Sequence, residues 1–365
     1  MGRTFLNAVM ALLFVVFYTS CSKEVKHQVL ELVEYDSISV AIDYPILSNY
    51  VRLVPYVRNG ELFVVGYNHF EHYYDFVNLS GGEHFSVEME KEGPDGVLVS
   101  SRFWVNDDYI VCRNDAGLVV LGMDGKVRHR MPIEELLRPT DVYVNSFGGV
   151  ALGNYDYVQN DGSRCFIPMI SLRKDVDVAI GKVYDAKTSS LELLPILYPD
   201  SIRNLYQVNS LITPYMNGYA DRIVYNFPIS SKVYCYDLKT KKTKVMDMRS
   251  ETIPNAVDME EFKNMDWFRR MKEEDMTSRF LWAHYSAKSG KYYRVHFASR
   301  ENFEDKANNK RYLMVYDEKT GEIKEYLLPA RFSATFFIHD DMIYFDFDGT
   351  NDEVLTFAKI DLMKL

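Results

Sequence analysis

The sequence predicts an all-β chain folded as a six-bladed β-propeller, on three observations. The first is a recurring unit: an aromatic or β-branched run, a polar turn joining Asp or Asn to Gly, Lys or Thr, then a second apolar run. That order is the signature of a β-hairpin, and it returns with turns at Asn78, Asp124, Asp185, Asp237, Asp317 and Asp361. The second is spacing. Successive turns lie 46, 61, 52, 80 and 44 residues apart, whereas a four-stranded blade takes about 40 to 50 residues, so the longer intervals carry insertions. The third is composition: 27 Tyr and 22 Phe supply most of the 14% aromatic content, and these residue types fit pleated, half-buried strands. Seven blades is the alternative count. A pair of β-sandwiches would need a Pro, Gly or Ser-rich linker, and the chain has none.

Taken in order, the chain opens with Arg3, an apolar run from Phe5 to Tyr18, and then Thr19-Ser20-Cys21. This reads as a lipoprotein signal peptide over residues 1–20, with the mature chain running from an acylated Cys21 to residue 365 as one propeller domain. Each buried CH₂ contributes roughly 0.8 kcal/mol, so several acyl chains on one cysteine hold a soluble domain on a membrane without a spanning helix. Removing residues 1–20 takes away Arg3 and no acid, which moves the formal charge from -10 to -11. An acidic chain does not suit nucleic acid, and the densest basic cluster, Lys239, Lys241, Lys242 and Lys244, reads as a solvated hairpin tip.

The stretch from Val29 to Val40 is expected to form a strand that pairs with the last blade and closes the ring, removing an exposed edge. The apolar hairpin runs follow, interrupted by a short helix at Pro132 to Leu137 and by one amphipathic insertion over 256–276. There, Asp258-Met-Glu-Glu261 resembles a capping box, and Met259, Phe262, Met265, Phe268 and Met271 recur at helical spacing. A brace packed on a neighbouring blade is the expected role, with a lid or a partner-docking helix as alternatives. Apart from Cys21, only Cys112, Cys165 and Cys235 occur; their odd number excludes a fully paired disulfide scaffold, and their strand-like context points to buried thiols.

Two segments carry residue types suited to chemistry. Asn68-His69-Phe-Glu71-His72 could bring metal ligands together only on a turn, because a strand would send His69 and His72 to opposite faces. Asp346-Phe-Asp348-Gly-Thr-Asn-Asp352 has the closely spaced oxygen donors of a calcium loop without the full EF-hand spacing. For both, a polar or acidic hairpin turn is the reading taken and metal the alternative, so no cofactor is expected. Gly-x-Ser-x-Gly, a phosphate-cradling loop and His-Glu-x-x-His are absent. An axial propeller site would leave no linear motif, and Arg52, Arg102, Arg203, Arg222, Arg294 and His296 are the isolated candidates beside strand-like runs.

The lipobox-like Cys21, the Glu92-Gly93-Pro94-Asp95-Gly96-Val97 turn ahead of Phe103-Trp104-Val105-Asn106-Asp107-Asp108, and the repeated Tyr-Asp-x-Lys-Thr hairpins resemble a family of uncharacterised Bacteroidetes lipoproteins. The resemblance covers most of the mature chain. It implies a six-bladed propeller and carries no catalytic residues to transfer. In such bacteria, acidic residues just after the lipidated cysteine accompany surface export; Ser22-Lys23-Glu24-Val25-Lys26 offers one acid against two bases, which favours the periplasmic side of the outer membrane over the cell surface. The expected role is a membrane-anchored, non-catalytic binding or scaffold module for an envelope protein, peptide or glycan. Tyr73, Tyr74, Trp104, Trp267 and Trp282 are the candidate contacts, since such rings pair a flat apolar face with a polar handle. The alternative is a carbohydrate-active or other hydrolytic enzyme with its site on the axis.

Overall fold

The computed structural model describes residues 26–365 except 32–33, 48–49, 51, 99–101, 115, 137–162, 169–178, 204–210, 256–276, 299–309 and 348–352. Cys21, Trp267, Asp348, Asp352 and the helical insertion over 256–276 therefore lie outside the described residues. Two strands come first, β1 (His27–Glu31) and β2 (Asp36–Ala41). The first blade then holds β3 (Leu53–Arg58), β4 (Glu61–Asn68), β5 (Tyr73–Asn78) and β6 (Phe85–Glu88). The second holds β7 (Arg102–Val105), β8 (Tyr109–Asn114), β9 (Gly117–Gly122) and β10 (Val127–Pro132), followed by α1 (Ile133–Leu136). In the third, β11 (Arg164–Pro168), β12 (Gly181–Asp185) and β13 (Ser190–Leu193) are described, followed by α2 (Asp200–Arg203).

The fourth blade holds β14 (Tyr215–Gly218), β15 (Arg222–Asn226), β16 (Lys232–Asp237) and β17 (Thr243–Asp247). In the fifth, the inner position is split into β18 (Arg279–Phe280) and β19 (His284–Ser286), which share the partner β20 (Lys291–Phe297); β21 (Arg311–Asp317) and β22 (Ile323–Leu327) follow. The sixth holds β23 (Phe332–His339), β24 (Met342–Phe347) and β25 (Val354–Asp361), with β2 as its outer strand. Six sheets stand in a ring. The expected closure is thus present, but as two strands in place of one. β2 pairs antiparallel with β25, whereas β1 pairs parallel with β22 of the preceding blade, so the chain steps across a seam between them.

Each predicted turn has the same cause. Asp237 Oδ1 accepts from the N–H of Lys239 (3.0 Å) and Thr240 (2.6 Å), and Asp317 Oδ1 from Lys319 (2.8 Å) and Thr320 (3.1 Å). Asp185, Asp124 and Asn78 accept in the same way from the N–H groups of Lys187, Lys126 and Ser80, and Asp361 from Met363. A short side-chain oxygen that replaces a backbone acceptor two residues on is what makes Asp and Asn turn formers. In five blades this turn joins the last two strands; at Asp361 it ends β25, because β2 already fills the outer place.

Apolar alternation along the strands fills the seams between blades. Phe76 packs in one cluster with Phe103 and Cys112, Trp104 with Ile167 and Tyr184, and Phe166 with Tyr225 and Tyr234. Val224 meets Tyr292 and Met314, Val295 meets Phe345 and Ile360, and Leu355 meets Val64 and Val77. The last of these seams returns to the first blade, which closes the ring by side-chain packing as well as by pairing. Antiparallel order puts the Asp turns at one end of the blades, the turn face, and the second-to-third and blade-to-blade connections at the other, the loop face.

Candidate functional site

Two polar clusters stand out, one open to solvent and one sealed. The open one crowns the loop face of the first blade, where β4 hands over to β5. Asn68 organises it: Oδ1 accepts from the N–H of Phe70 (3.1 Å) and Glu71 (3.2 Å), and Nδ2 donates to Pro45 O (2.6 Å) and Asp75 Oδ2 (3.0 Å). Asp75 is fully buried and also accepts from Tyr50 Oη (2.8 Å) and Ser86 Oγ (2.6 Å). Burial raises its carboxyl above the usual range, against the pull of those donors. This buried carboxylate fastens the connection from β2 to β3 onto the first blade.

On that rigid base, aromatic side chains stand in solvent. Tyr44 is 84% and Phe70 67% exposed, His69 lies against Phe70 with ring centroids 4.0 Å apart, and Tyr73 is half-buried beside them in sequence. Tyr44 Oη donates to Glu71 Oε1 at 2.5 Å, which lifts the phenol above its ordinary range and ties the two connections together. His72 goes the other way. It is buried at a positive φ of 68°, with Nδ1 2.8 Å from Tyr67 Oη, and burial lowers its pKa. His69 and His72 therefore occupy opposite sides of the turn and do not converge. Among the described residues, no three His, Cys, Asp or Glu side chains cluster as metal ligands would.

The sealed cluster lies in the seam between the fourth and fifth blades. Glu325 and His296 have no exposed surface. Glu325 Oε2 accepts from Ser250 Oγ (2.7 Å) and Thr252 Oγ1 (2.6 Å) and lies 2.9 Å from His296 Nε2; Oε1 accepts from Glu251 N (2.7 Å) and lies 2.5 Å from His27 Nε2. Burial pushes this carboxyl up, but the His296 contact, the Thr252 hydroxyl and the Glu251 N–H outweigh it and hold it at about 2. Burial also lowers His296, against the opposing pull of the Glu325 carboxylate. Arg294 runs alongside, stacked 3.9 Å over Phe280 and donating to the carbonyls of Ser231 and Met248.

A hydroxyl, an imidazole and a carboxylate together invite comparison with a hydrolase relay. That relay needs hydroxyl and carboxylate on opposite ring nitrogens, so that the imidazole passes a proton between them. Here Ser250 Oγ and Thr252 Oγ1, each 3.3 Å away, share Nε2 with Glu325. The three groups compete for one nitrogen, and His296 and Glu325 have no exposed surface. The arrangement is a structural knot.

A family model described as a domain of unknown function, DUF4221, matches residues 30–327. The chain belongs to the DUF4221 family. It is similar to the crystal structure of a DUF4221 member from Bacteroides vulgatus ATCC 8482, with 15% identity over 90% of this chain and 97% of that one, at a TM-score of 0.67. It is also similar to a protein from Bacteroides fragilis NCTC 9343 whose name assigns it to the exported class, with 12% identity over 92% and 99% of the two chains, at a TM-score of 0.57. At these identities the likeness establishes the shared fold. A comparison with curated proteins found no match.

The DUF4221 fold disperses the other aromatic candidates. Tyr74 is buried with its ring 4.6 Å from that of Phe103, and Trp104 is buried in the seam of the second and third blades. Trp282 fills the break between β18 and β19, stacked 4.0 Å from Tyr215. None of these three rings offers an open face; of the described candidates, Tyr73 alone borders the exposed cluster. Asp346 lies in β24 close to the loop face, one blade away from His69. Cys112, Cys165 and Cys235 are buried thiols outside any disulfide, and burial pushes Cys112 up to about 12, far from a nucleophile's range. Tyr44, Glu325 and His27 escaped the sequence reading. For Glu325 the signal was an acid at an inward position between Ile323 and Leu327; for Tyr44 it was an aromatic before Pro45 between two strands.

Proposed function

We propose that this DUF4221 protein is a membrane-anchored, non-catalytic binding module of the cell envelope that captures a protein partner through Tyr44, Phe70, His69 and Tyr73. The observation that carries the reading is the pairing of an exposed aromatic surface with a rigid buried base: Tyr44 and Phe70 stand in solvent, while Asn68 and Asp75 fix the two connections that bear them. Aromatic residues held in place lose little entropy on binding, which is why they anchor protein interfaces. Glu71 adds a carboxylate beside the rings, suited to a basic group on the partner.

The anchor is an acylated Cys21 in the outer membrane, on its periplasmic side. The leader over residues 1–20 and the exported class named for the similar Bacteroides fragilis protein support export; the bases in Ser22 to Lys26 support the side. A photo-reactive amino acid placed at position 70 in cells tests the binding reading. An adduct with one envelope protein, absent when the probe sits at Asp108 on the turn face, is expected. Equal labelling at the two positions, or glycan retention with no protein adduct, would overturn it.

A further inference from the structure

We infer that the turns of the fourth and fifth blades form a cationic face that docks on an anionic bilayer surface, setting the orientation of the tethered propeller. The inference rests on the reading that Cys21 carries the lipid. Its structural basis is where the chain joins the fold. Lys26 O accepts from Ile323 N at 3.0 Å, so the first described residue sits at the start of β22, immediately after the Asp317 to Glu322 turn. Lys26 lies five positions after Cys21, and even a fully extended chain over five steps spans at most about 18 Å. The Asp317 turn is thereby held near the headgroups.

What lies beside it is basic in a chain of net charge -10. Lys244 Nζ contacts Glu318 Oε1 at 2.6 Å, tying the outer strand of the fourth blade to the turn of the fifth. The adjoining Asp237 turn presents Lys239, Lys241 and Lys242, and the Asp317 turn presents Lys319; all four are exposed. Among the described residues none of the four forms an ion pair with a carboxylate, and the two Asp side chains face their own turn N–H groups. Juxtamembrane lysines strengthen partitioning onto anionic lipid by about fivefold each and act only within a Debye length, so a short tether is what makes this cluster count. With that face down, the loop face bearing Tyr44 and Phe70 points away from the bilayer.

The acylated full-length protein would be reconstituted on vesicles of phosphatidylcholine, with or without phosphatidylglycerol, containing a headgroup-attached quencher. One fluorophore is placed through Lys241→Cys and, separately, through Phe70→Cys. Strong quenching at 241, little at 70, and loss of the difference in salt, in neutral vesicles or in the Lys239→Glu/Lys242→Glu/Lys319→Glu variant are expected. Equal quenching at both positions with Cys21 acylated would overturn the docking face alone. Mass spectrometry showing an unacylated Cys21 would overturn the tether, and this placement with it.

Discussion

His27 Nε2 lies 2.5 Å from Glu325 Oε1, so the first described strand is pinned to the outer strand of the fifth blade by a contact within a sealed seam. The same carboxylate holds Ser250, Glu251 and Thr252, which lead out of the fourth blade. One buried acid therefore joins three stretches of chain that are remote in sequence.

Truncating that acid should be costly. Glu325→Ala leaves two imidazoles, two hydroxyls and an N–H without their acceptor, and leaving a buried donor unsatisfied costs about 1 to 3 kcal/mol. Urea denaturation should register a loss in that range. Glu325→Gln, which keeps an acceptor oxygen, should lose less, and limited proteolysis near residue 27 should accelerate in both.

Acid should weaken the fold well before carboxylates titrate. His284 is buried and its pKa is lowered by desolvation to about 3; His296 and His72 are lowered for the same reason. Below about 6.5 the unfolded chain takes up protons that these folded histidines refuse, so their contribution is full above that value and falls as pH drops. For His284, on the order of 2 kcal/mol should be lost between pH 6.5 and 5. Glu325, held at about 2, adds its loss only below about pH 4.5. His284→Phe, which keeps a ring against Phe336, should flatten the stability profile between pH 7 and 5 measured by thermal melts.

Gly66 is a packing requirement. A Cβ there would lie 2.2 Å from the Tyr50 ring, whose hydroxyl donates to Asp75. Overpacking of this kind costs about 1 to 3 kcal/mol, so Gly66→Ala should lower the unfolding midpoint in urea and loosen the loop face, seen as faster amide exchange at residues 44–50.

The turn device should tolerate Asn and not Ala. Asp317→Ala removes two acceptor bonds at a partly exposed turn, about 1 kcal/mol, whereas Asp317→Asn keeps an oxygen in the same place. Melting temperatures of the two variants should differ in that order.

Much of this architecture was written locally. Each blade repeats a hairpin whose Asp or Asn satisfies its own turn, so six turns predicted six sheets, and the Gly, Lys and Thr around them fixed where strands end. Closure by the N-terminal stretch was legible in its β-branched composition, but its division between β22 and β25 was not, because a parallel partner leaves no mark on the strand that receives it. The site was harder to read. Tyr73 and Tyr74 are adjacent and chemically alike, yet strand alternation buries Tyr74 against Phe103 and leaves Tyr73 half open. Tyr44 reaches Glu71 across two connections that Asn68 also spans, donating to Pro45 O. His296 was visible as a candidate, but its partners come from β22 and the segment after β17, and Glu325 draws in β1 besides.

The most direct test of the proposed binding surface is capture of envelope proteins by the domain carrying Tyr44→Ala and Phe70→Ala together, compared with His296→Gln. The double variant should keep its melting temperature and lose the captured protein, while His296→Gln should melt earlier yet still capture it below its transition. Retention of the partner by the double variant, or its loss from folded His296→Gln, would contradict the assignment of binding to the exposed rings and of structure to the buried knot.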